Sequence, residues 1–144
     1  MQAQRRIVVG VDGSDCSEIA LRWAADEAEY RGATLVVVTT WTALPPPIVD
    51  PYAGFSARGP GDPREAAMSA LGEMVGRVLE DMPNLSVELL AIPGDTAKVL
   101  IEQSRDADLV VVGARGTGGV SDWLLGSVSH KVAQHSYCSV AVIR

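Results

Sequence analysis

The chain has 144 residues, of which 47% are hydrophobic, and this suits one domain, spanning 1–144, with a single sizeable core. Its formal net charge of −6 argues against binding along nucleic-acid backbones, which requires clustered Lys and Arg. No stretch reaches the roughly 18 consecutive apolar residues that span a bilayer. Two cysteines without a CxxC pair predict reduced thiols rather than disulfides or a metal site. We therefore expect a cytoplasmic protein that contacts neither nucleic acid nor membrane.

Short apolar runs alternate with amphipathic segments along the chain. The runs are rich in β-branched residues and predict strands at 7–11, 34–40, 86–92, 109–112 and 140–143. The segments between them predict four helices, from 14 or 15 to Gly32, from about 63 to 81, from 94–96 onwards, and from Gly126-Ser127 onwards. This pattern is typical of a parallel sheet with helices on both faces. We expect an α/β three-layer sandwich whose five parallel strands are ordered 3-2-1-4-5.

The segment at 42–62, between the second strand and the second helix, is unusually rich in proline and glycine. Such a composition resists regular structure and predicts a long loop. A loop of this length in a compact domain is often a lid or a partner-binding segment, and simple disorder is an equal alternative.

A glycine array follows the fourth predicted strand and predicts a phosphate-binding loop. Gly113 and Gly116 are followed, nine residues later, by Gly126 and Ser127. Glycine lets the backbone approach an anion and adopt positive φ, while Ser127 and Ser129 begin a helix whose N-terminus favours negative charge. The competing interpretation is a simple turn followed by a serine helix cap. We favour a nucleotide-binding site.

A second loop, Gly10-Val11-Asp12, follows the first strand. Ligands of doubly wound sheets bind beyond the carboxyl ends of the strands where the strand order reverses, so this loop and the glycine array should converge. Asp12 can accept a hydrogen bond from a ribose hydroxyl or help to hold Mg²⁺. Arg115, inside the glycine array, either pairs with a terminal phosphate or is a solvated loop residue.

Two better-known glycine motifs do not fit. A P-loop requires a lysine directly after its last glycine, whereas Gly126 is followed by Ser127-Val128. A dinucleotide fingerprint requires an acidic residue at the end of the strand that follows, and the last predicted strand has none. The array therefore predicts neither a P-loop nor an NAD site.

The spacing Gly113-x2-Gly116-x9-Gly126-Ser127, with the opening IVVGVDGS at 7–14, resembles the ATP-binding branch of the universal stress protein family over essentially the whole chain. The resemblance implies ATP or another adenine nucleotide as ligand, a stress-response role, and homodimers joined through the last strand at 140–143. An exposed apolar edge strand would itself invite such pairing. The resemblance implies that Gly10, Val11 and Asp12 line the adenosine and that Thr40 touches the base. It assigns the rest of the ligand to Val112, Gly113, Gly116, Gly126, Ser127, Val128 and Ser129.

Three functions compete on this basis. The sequence shows a nucleotide-binding loop without an evident general base, nucleophile or P-loop lysine, which favours a regulatory protein that is not an enzyme. The first alternative is a slow ATPase or self-phosphorylating protein, with Asp12 holding Mg²⁺ and Ser127 or Ser129 as the acceptor. The second is a dimeric interaction module whose proline-rich loop docks a partner and whose nucleotide is structural.

Overall fold

The computed structural model describes residues 3–42, 61–116 and 125–144. Within these ranges the strands are β1 Arg6–Gly10, β2 Thr34–Trp41, β3 Val87–Pro93, β4 Leu109–Gly113 and β5 Ser139–Ile143. The helices are α1 Asp15–Arg31, α2 Pro63–Val78, α3 Thr96–Gln103, followed by a short 3₁₀ turn at Ser104–Asp106, and α4 Ser127–His135. Residues 43–60 of the predicted loop at 42–62 lie outside the described part of the chain.

The five strands form one parallel sheet in the order β3-β2-β1-β4-β5, so the predicted fold class and strand order are confirmed. β1 lies at the centre, where Val8 is paired with Val36 of β2 on one side and Val110 of β4 on the other. The strand order reverses between β1 and β4. In such sheets a crevice opens beyond the carboxyl ends of the two strands that flank the reversal.

Alternation along β1 divides the core into two layers. Ile7 and Val9 face α1 and α2, where Leu21 and Leu71 are also buried. Val8 faces the opposite layer, which contains buried side chains from α3 and α4. Because both faces of the central strands are covered, those strands are continuous apolar runs rather than alternating ones.

Local signals set most helix ends. Ser14 caps α1, its hydroxyl oxygen accepting from the Ser17 N–H, and Gly32 ends the helix with a positive φ of 61°. Asp95 caps α3 in the same way through the Lys98 N–H. The predicted end of α2 near residue 81 is wrong, because the helix stops at Val78 and a turn follows in which Met82 N–H donates to Leu79 O.

Two ion pairs on the protein surface join α1 to α2 and to the turn that follows α2. Arg22 contacts Asp81 through both terminal guanidinium nitrogens, at 2.6 and 3.0 Å, and Arg77 contacts Glu18 in a similar way. These hydrogen bonds lower the pKa of both carboxyl groups. No helix in the described part of the chain is both long and apolar enough to cross a membrane.

Candidate functional site

A cavity of about 350 Å³ opens at the carboxyl edge of the sheet, above β1 and β4. This is within the size range of small-molecule sites. Its walls come from the loop after β1, the first turns of α1 and α3, the loop after β4, and the start of α4. The lining residues are Gly10, Val11, Asp12, Ser17, Thr96, Leu100, Val112, Gly113, Arg115, Gly116, Gly126, Ser127, Val128 and Ser129.

The structure brings eleven of the twelve predicted ligand-binding residues to this cavity. Thr40, predicted to touch the base, is not among the lining residues. Its hydroxyl lies 2.6 Å from the Thr96 hydroxyl, and it is Thr96 that reaches the cavity wall. The direct ligand contacts of all twelve stay predictions.

Hydrogen bonds within the loop after β1 orient the Asp12 side chain. Its Oδ1 accepts hydrogen bonds from Ser14 N–H at 2.9 Å and from the Ser14 hydroxyl at 2.5 Å. The Asp12 N–H lies 3.3 Å from the Ser17 hydroxyl oxygen, and that hydroxyl donates to Ser14 O. Gly13 permits the turn with a φ of 85°. The carboxylate is therefore oriented before any ligand arrives.

Gly113, at the end of β4, and Gly116, in the loop after it, pack closely against neighbouring segments and do not adopt positive φ. A Cβ at Gly113 would lie 3.0 Å from Cys16 Sγ and 3.2 Å from the Cys16 backbone, and one at Gly116 would lie 2.6 Å from Asp12 Oδ2. Among the described residues, positive φ occurs at Gly13, Gly32 and Gly94 instead. The expectation that the array itself uses positive φ is therefore wrong for its described glycines.

The start of α4 presents amide groups to the cavity. Gly126 is the N-cap residue, and no side chain in the described ranges makes a capping hydrogen bond to the helix. The competing interpretation that Ser127 caps the helix is therefore wrong. The first N–H groups of a helix have no intrahelical partner, so this N-terminus is suited to an anion. Ser127 is exposed beside these amides.

Ser129 has a different position from Ser127. Its side chain is buried, with 1% exposure, and its hydroxyl lies 3.0 Å from both Ala114 O and Gly126 O. The Gly126 N–H also donates to Ala114 O, at 2.7 Å. These bonds connect the loop after β4 to the first turn of α4. The Ser129 hydroxyl thus stabilises the contact between the loop after β4 and the start of α4.

The chemistry of the walls differs along the cavity. Val11, Leu100, Val112 and Val128 contribute apolar surface, while Asp12, Arg115 and the α4 amides are polar. The described residues contain no group of three or more His, Cys, Asp or Glu that could hold a metal ion. A Mg²⁺ ion at Asp12 would therefore depend on oxygens of a bound phosphate and of water.

Ser17, Thr96 and Leu100 line the cavity but were not predicted as site residues. Ser17 lies in the first turn of α1, where its spacing from Ser14 indicates only a helix start. Thr96 follows the third strand, and its position after a carboxyl end is a signal that could have located it. Leu100 has the helical spacing of an ordinary core residue, and no sequence signal distinguishes it.

The chain matches the sequence model of the universal stress protein family over residues 4–144. The chain belongs to the universal stress protein family. It is 35% identical to a universal stress protein of Mycobacterium tuberculosis over 98% of its own length and 46% of the relative. The chain thus spans about half the length of the curated relatives that it matches.

Solved universal stress proteins have the same fold. A crystal structure of a universal stress protein in complex with cAMP superposes with a TM-score of 0.73 at 26% identity and covers 99% of each chain. A universal stress protein from Lactobacillus plantarum superposes with a TM-score of 0.71 at 27% identity over the full length of both chains. These neighbours agree with the single five-stranded α/β domain seen here.

Proposed function

We propose that this universal stress protein binds ATP or a related adenine nucleotide in the cavity and acts as a regulatory, stress-response protein in the cytoplasm. One observation carries the proposal. The Asp12 carboxylate, the close-packed glycines after β4 and the N-terminus of α4, which no described side chain caps, all face one cavity. An anion-binding helix end beside an oriented carboxylate suits a ligand that carries both phosphate and ribose.

The polar groups suggest how the nucleotide lies. The phosphates bind the amides at the start of α4, where the helix dipole favours negative charge, and Arg115 adds positive charge nearby. Asp12 accepts a hydrogen bond from a ribose hydroxyl in the middle of the cavity. The apolar surface of Leu100 and Val11 then receives the base. The neighbouring universal stress protein that was crystallised with cAMP supports a ligand of this class.

We expect the protein to act by binding rather than by catalysis. None of the described lining residues is a lysine, a histidine or a cysteine, so the reactive side chains of these walls are the Asp12 carboxylate and the serine and threonine hydroxyls, with no histidine or lysine to activate a hydroxyl. The two histidines, His130 and His135, are exposed on α4 and do not line the cavity. A regulatory protein of this kind would report nucleotide status through its conformation or its partners.

The proposed assembly is a homodimer joined through β5. This strand pairs with β4 on one side and is an edge of the sheet, and its residues Val140, Ala141, Val142 and Ile143 are half-buried. An apolar edge strand favours pairing with another chain. Sedimentation equilibrium should give a mass of twice the 15.2 kDa chain. A single-chain mass at every concentration would contradict the dimer.

Calorimetric titration of the purified protein with ATP, ADP, AMP and cyclic AMP tests the proposed ligand. We expect saturable binding of at least one of them, with a rank that follows phosphate content. A parallel assay of phosphate release separates binding from hydrolysis. Absence of binding to all four would overturn the proposal, and turnover that disappears in Asp12→Ala would favour an enzyme instead.

A further inference from the structure

Two threonine hydroxyls meet at one end of the cavity. Thr40 lies near the end of β2, and Thr96 is the first residue of α3. Their Oγ1 atoms are 2.6 Å apart in a half-buried position, and either hydroxyl can be the donor. Thr96 lines the cavity beside Leu100. We refer to these two side chains as the threonine pair.

The threonine pair is not explained by the fold. The N-terminus of α3 is capped by Asp95, whose Oδ1 accepts from Lys98 N–H at 3.0 Å, so the Thr96 hydroxyl is not needed as a cap. Among the described residues, each hydroxyl of the pair has the other as its hydrogen-bond partner. Two valines would fill the same space in a parallel α/β core without any polar group to satisfy.

The position of the pair relates it to the base. In the sheet order, α4 begins on the β4 and β5 side of the cavity, whereas the threonine pair lies on the β2 and β3 side. A nucleotide whose phosphates bind the start of α4, and whose ribose meets Asp12 between them, therefore extends its base toward Thr96 and Leu100. This step rests on the proposed function.

The hydrogen-bonding capacity of the pair fits the polar edge of adenine. Two hydroxyls have two donors and four acceptor lone pairs, and their mutual bond uses one of each. One donor and three lone pairs remain. The 6-amino group of adenine donates, and the adjacent ring nitrogen accepts. A base whose faces pack on apolar side chains can thus satisfy its polar edge at this pair.

We propose that the threonine pair recognises the 6-amino edge of the base and so contributes to the choice of adenine nucleotides. Thr96 makes the contact. Thr40 is a positioning residue, which fixes the direction of the Thr96 hydroxyl through their mutual hydrogen bond. Because hydroxyls rotate to suit either a donor or an acceptor, the decisive comparison is with a nucleotide that has only hydrogen at C6.

The experiment compares AMP with purine riboside monophosphate, which is identical except that it lacks the 6-amino group. Calorimetry gives the affinity ratio of the two ligands for the unmodified protein and for Thr96→Val, Thr40→Val and the double variant. The matched control is Thr39→Val, because Thr39 is the strand neighbour of Thr40, its side chain points to the opposite face of β2, and it does not line the cavity. Thr40→Ser keeps the hydroxyl and tests rescue.

We expect the unmodified protein to prefer AMP by about threefold to tenfold, the range of one net hydrogen bond. The ratio should fall to near one in Thr96→Val and the double variant, decrease in Thr40→Val, and persist in Thr40→Ser and Thr39→Val. A ratio that persists in the double variant, or that is already one in the unmodified protein, would overturn the role of the pair. Absence of binding to AMP, ADP, ATP and cyclic AMP alike would overturn the proposed function as well.

Discussion

The backbone of Gly116 lies directly against the carboxylate of Asp12, so that a Cβ at this glycine would be 2.6 Å from Asp12 Oδ2. This contact joins the loop after β1 to the loop after β4. The two loops are more than a hundred residues apart in sequence and meet only because β1 and β4 are neighbours in the sheet. The candidate site therefore depends on the reversal of strand order.

Gly116→Ala tests this contact. The atom in the way is the end of a side chain, which can rotate, so we expect little change in thermal stability but a displaced Asp12 carboxylate. If Asp12 accepts from the ribose, affinity for the nucleotide should fall roughly tenfold to a hundredfold, equivalent to about 1.5–3 kcal/mol for a charged hydrogen bond. Calorimetry measures the loss.

Gly72→Ala is the matched control for Gly116→Ala. Gly72 lies within α2, and a Cβ there would have no neighbour within 4 Å. Replacement should stabilise the helix by about 0.5–1 kcal/mol and leave nucleotide affinity unchanged. Equal affinities for Gly116→Ala and the unmodified protein would show that Asp12 does not contact the ligand.

Gly113→Ala should affect stability, in contrast to Gly116→Ala. Its Cβ would be 3.0 Å from Cys16 Sγ and 3.2 Å from the Cys16 carbonyl group, and the backbone of α1 cannot move aside as a side-chain end can. Overpacking of this kind costs about 1–3 kcal/mol. Urea unfolding measures it, and an unchanged midpoint would show that α1 adjusts its position freely.

Replacing each of the two serines of α4 should affect a different property. We expect Ser129→Ala to lower stability and Ser127→Ala to lower affinity for the nucleotide. Ser129→Ala removes the hydroxyl that contacts Ala114 O and Gly126 O, and should lower the unfolding free energy by about 1 kcal/mol. Ser127→Ala, at an exposed position, should change stability by less than about 0.5 kcal/mol yet weaken ATP binding. Urea unfolding and calorimetry on both variants test this, and the reverse assignment would contradict it.

Acid should weaken the connection between α1 and α2. The hydrogen bond from Arg77 holds the pKa of Glu18 below its ordinary value, and that from Arg22 does the same for the pKa of Asp81. A lowered folded-state pKa gives stability that is present above the unfolded-state pKa and is lost as the pH falls through the folded-state pKa. The loss should occur in the acidic range below about pH 4.

Urea unfolding of the double variant Glu18→Gln/Asp81→Asn measures this loss. Its difference in unfolding free energy from the unmodified protein should be present at neutral pH and shrink in acid. Added salt should also reduce it, because these pairs are on the surface. Glu73→Gln, exposed on α2, is the control. A difference that does not change with pH would show that the ion pairs do not contribute.

The fold could be predicted from sequence because its signals are local. Runs of β-branched residues gave all five strands to within a residue or two, and Ser14, Gly32 and Asp95 act at helix ends as their types predict. The alternating pattern indicates a doubly wound parallel sheet, and 3-2-1-4-5 is one of the strand orders common in such sheets. The end of α2 was placed too late because Leu79 and the residues after it retain helical character in sequence while forming a turn.

The parts of the site that sequence did not reveal depend on contacts between distant elements. The Thr96 hydroxyl, at the cavity wall, forms a hydrogen bond with the hydroxyl of Thr40, which is 56 residues away in sequence. The backbone of Cys16 lies so close to Gly113 that it leaves no space for a side chain there. Ala133 is exposed although it is apolar, since α4 contacts the core through Val132. Spacing alone does not determine such pairings.

The most direct test of nucleotide binding at this site is titration of the labelled protein with ATP while the backbone amide signals are followed by NMR. We predict saturable shifts at Gly126, Ser127 and Val128, and at Asp12, with little change at 84–86 on the opposite edge of the sheet. Shifts confined to that opposite edge, or none at any ATP concentration, would contradict nucleotide binding at the start of α4.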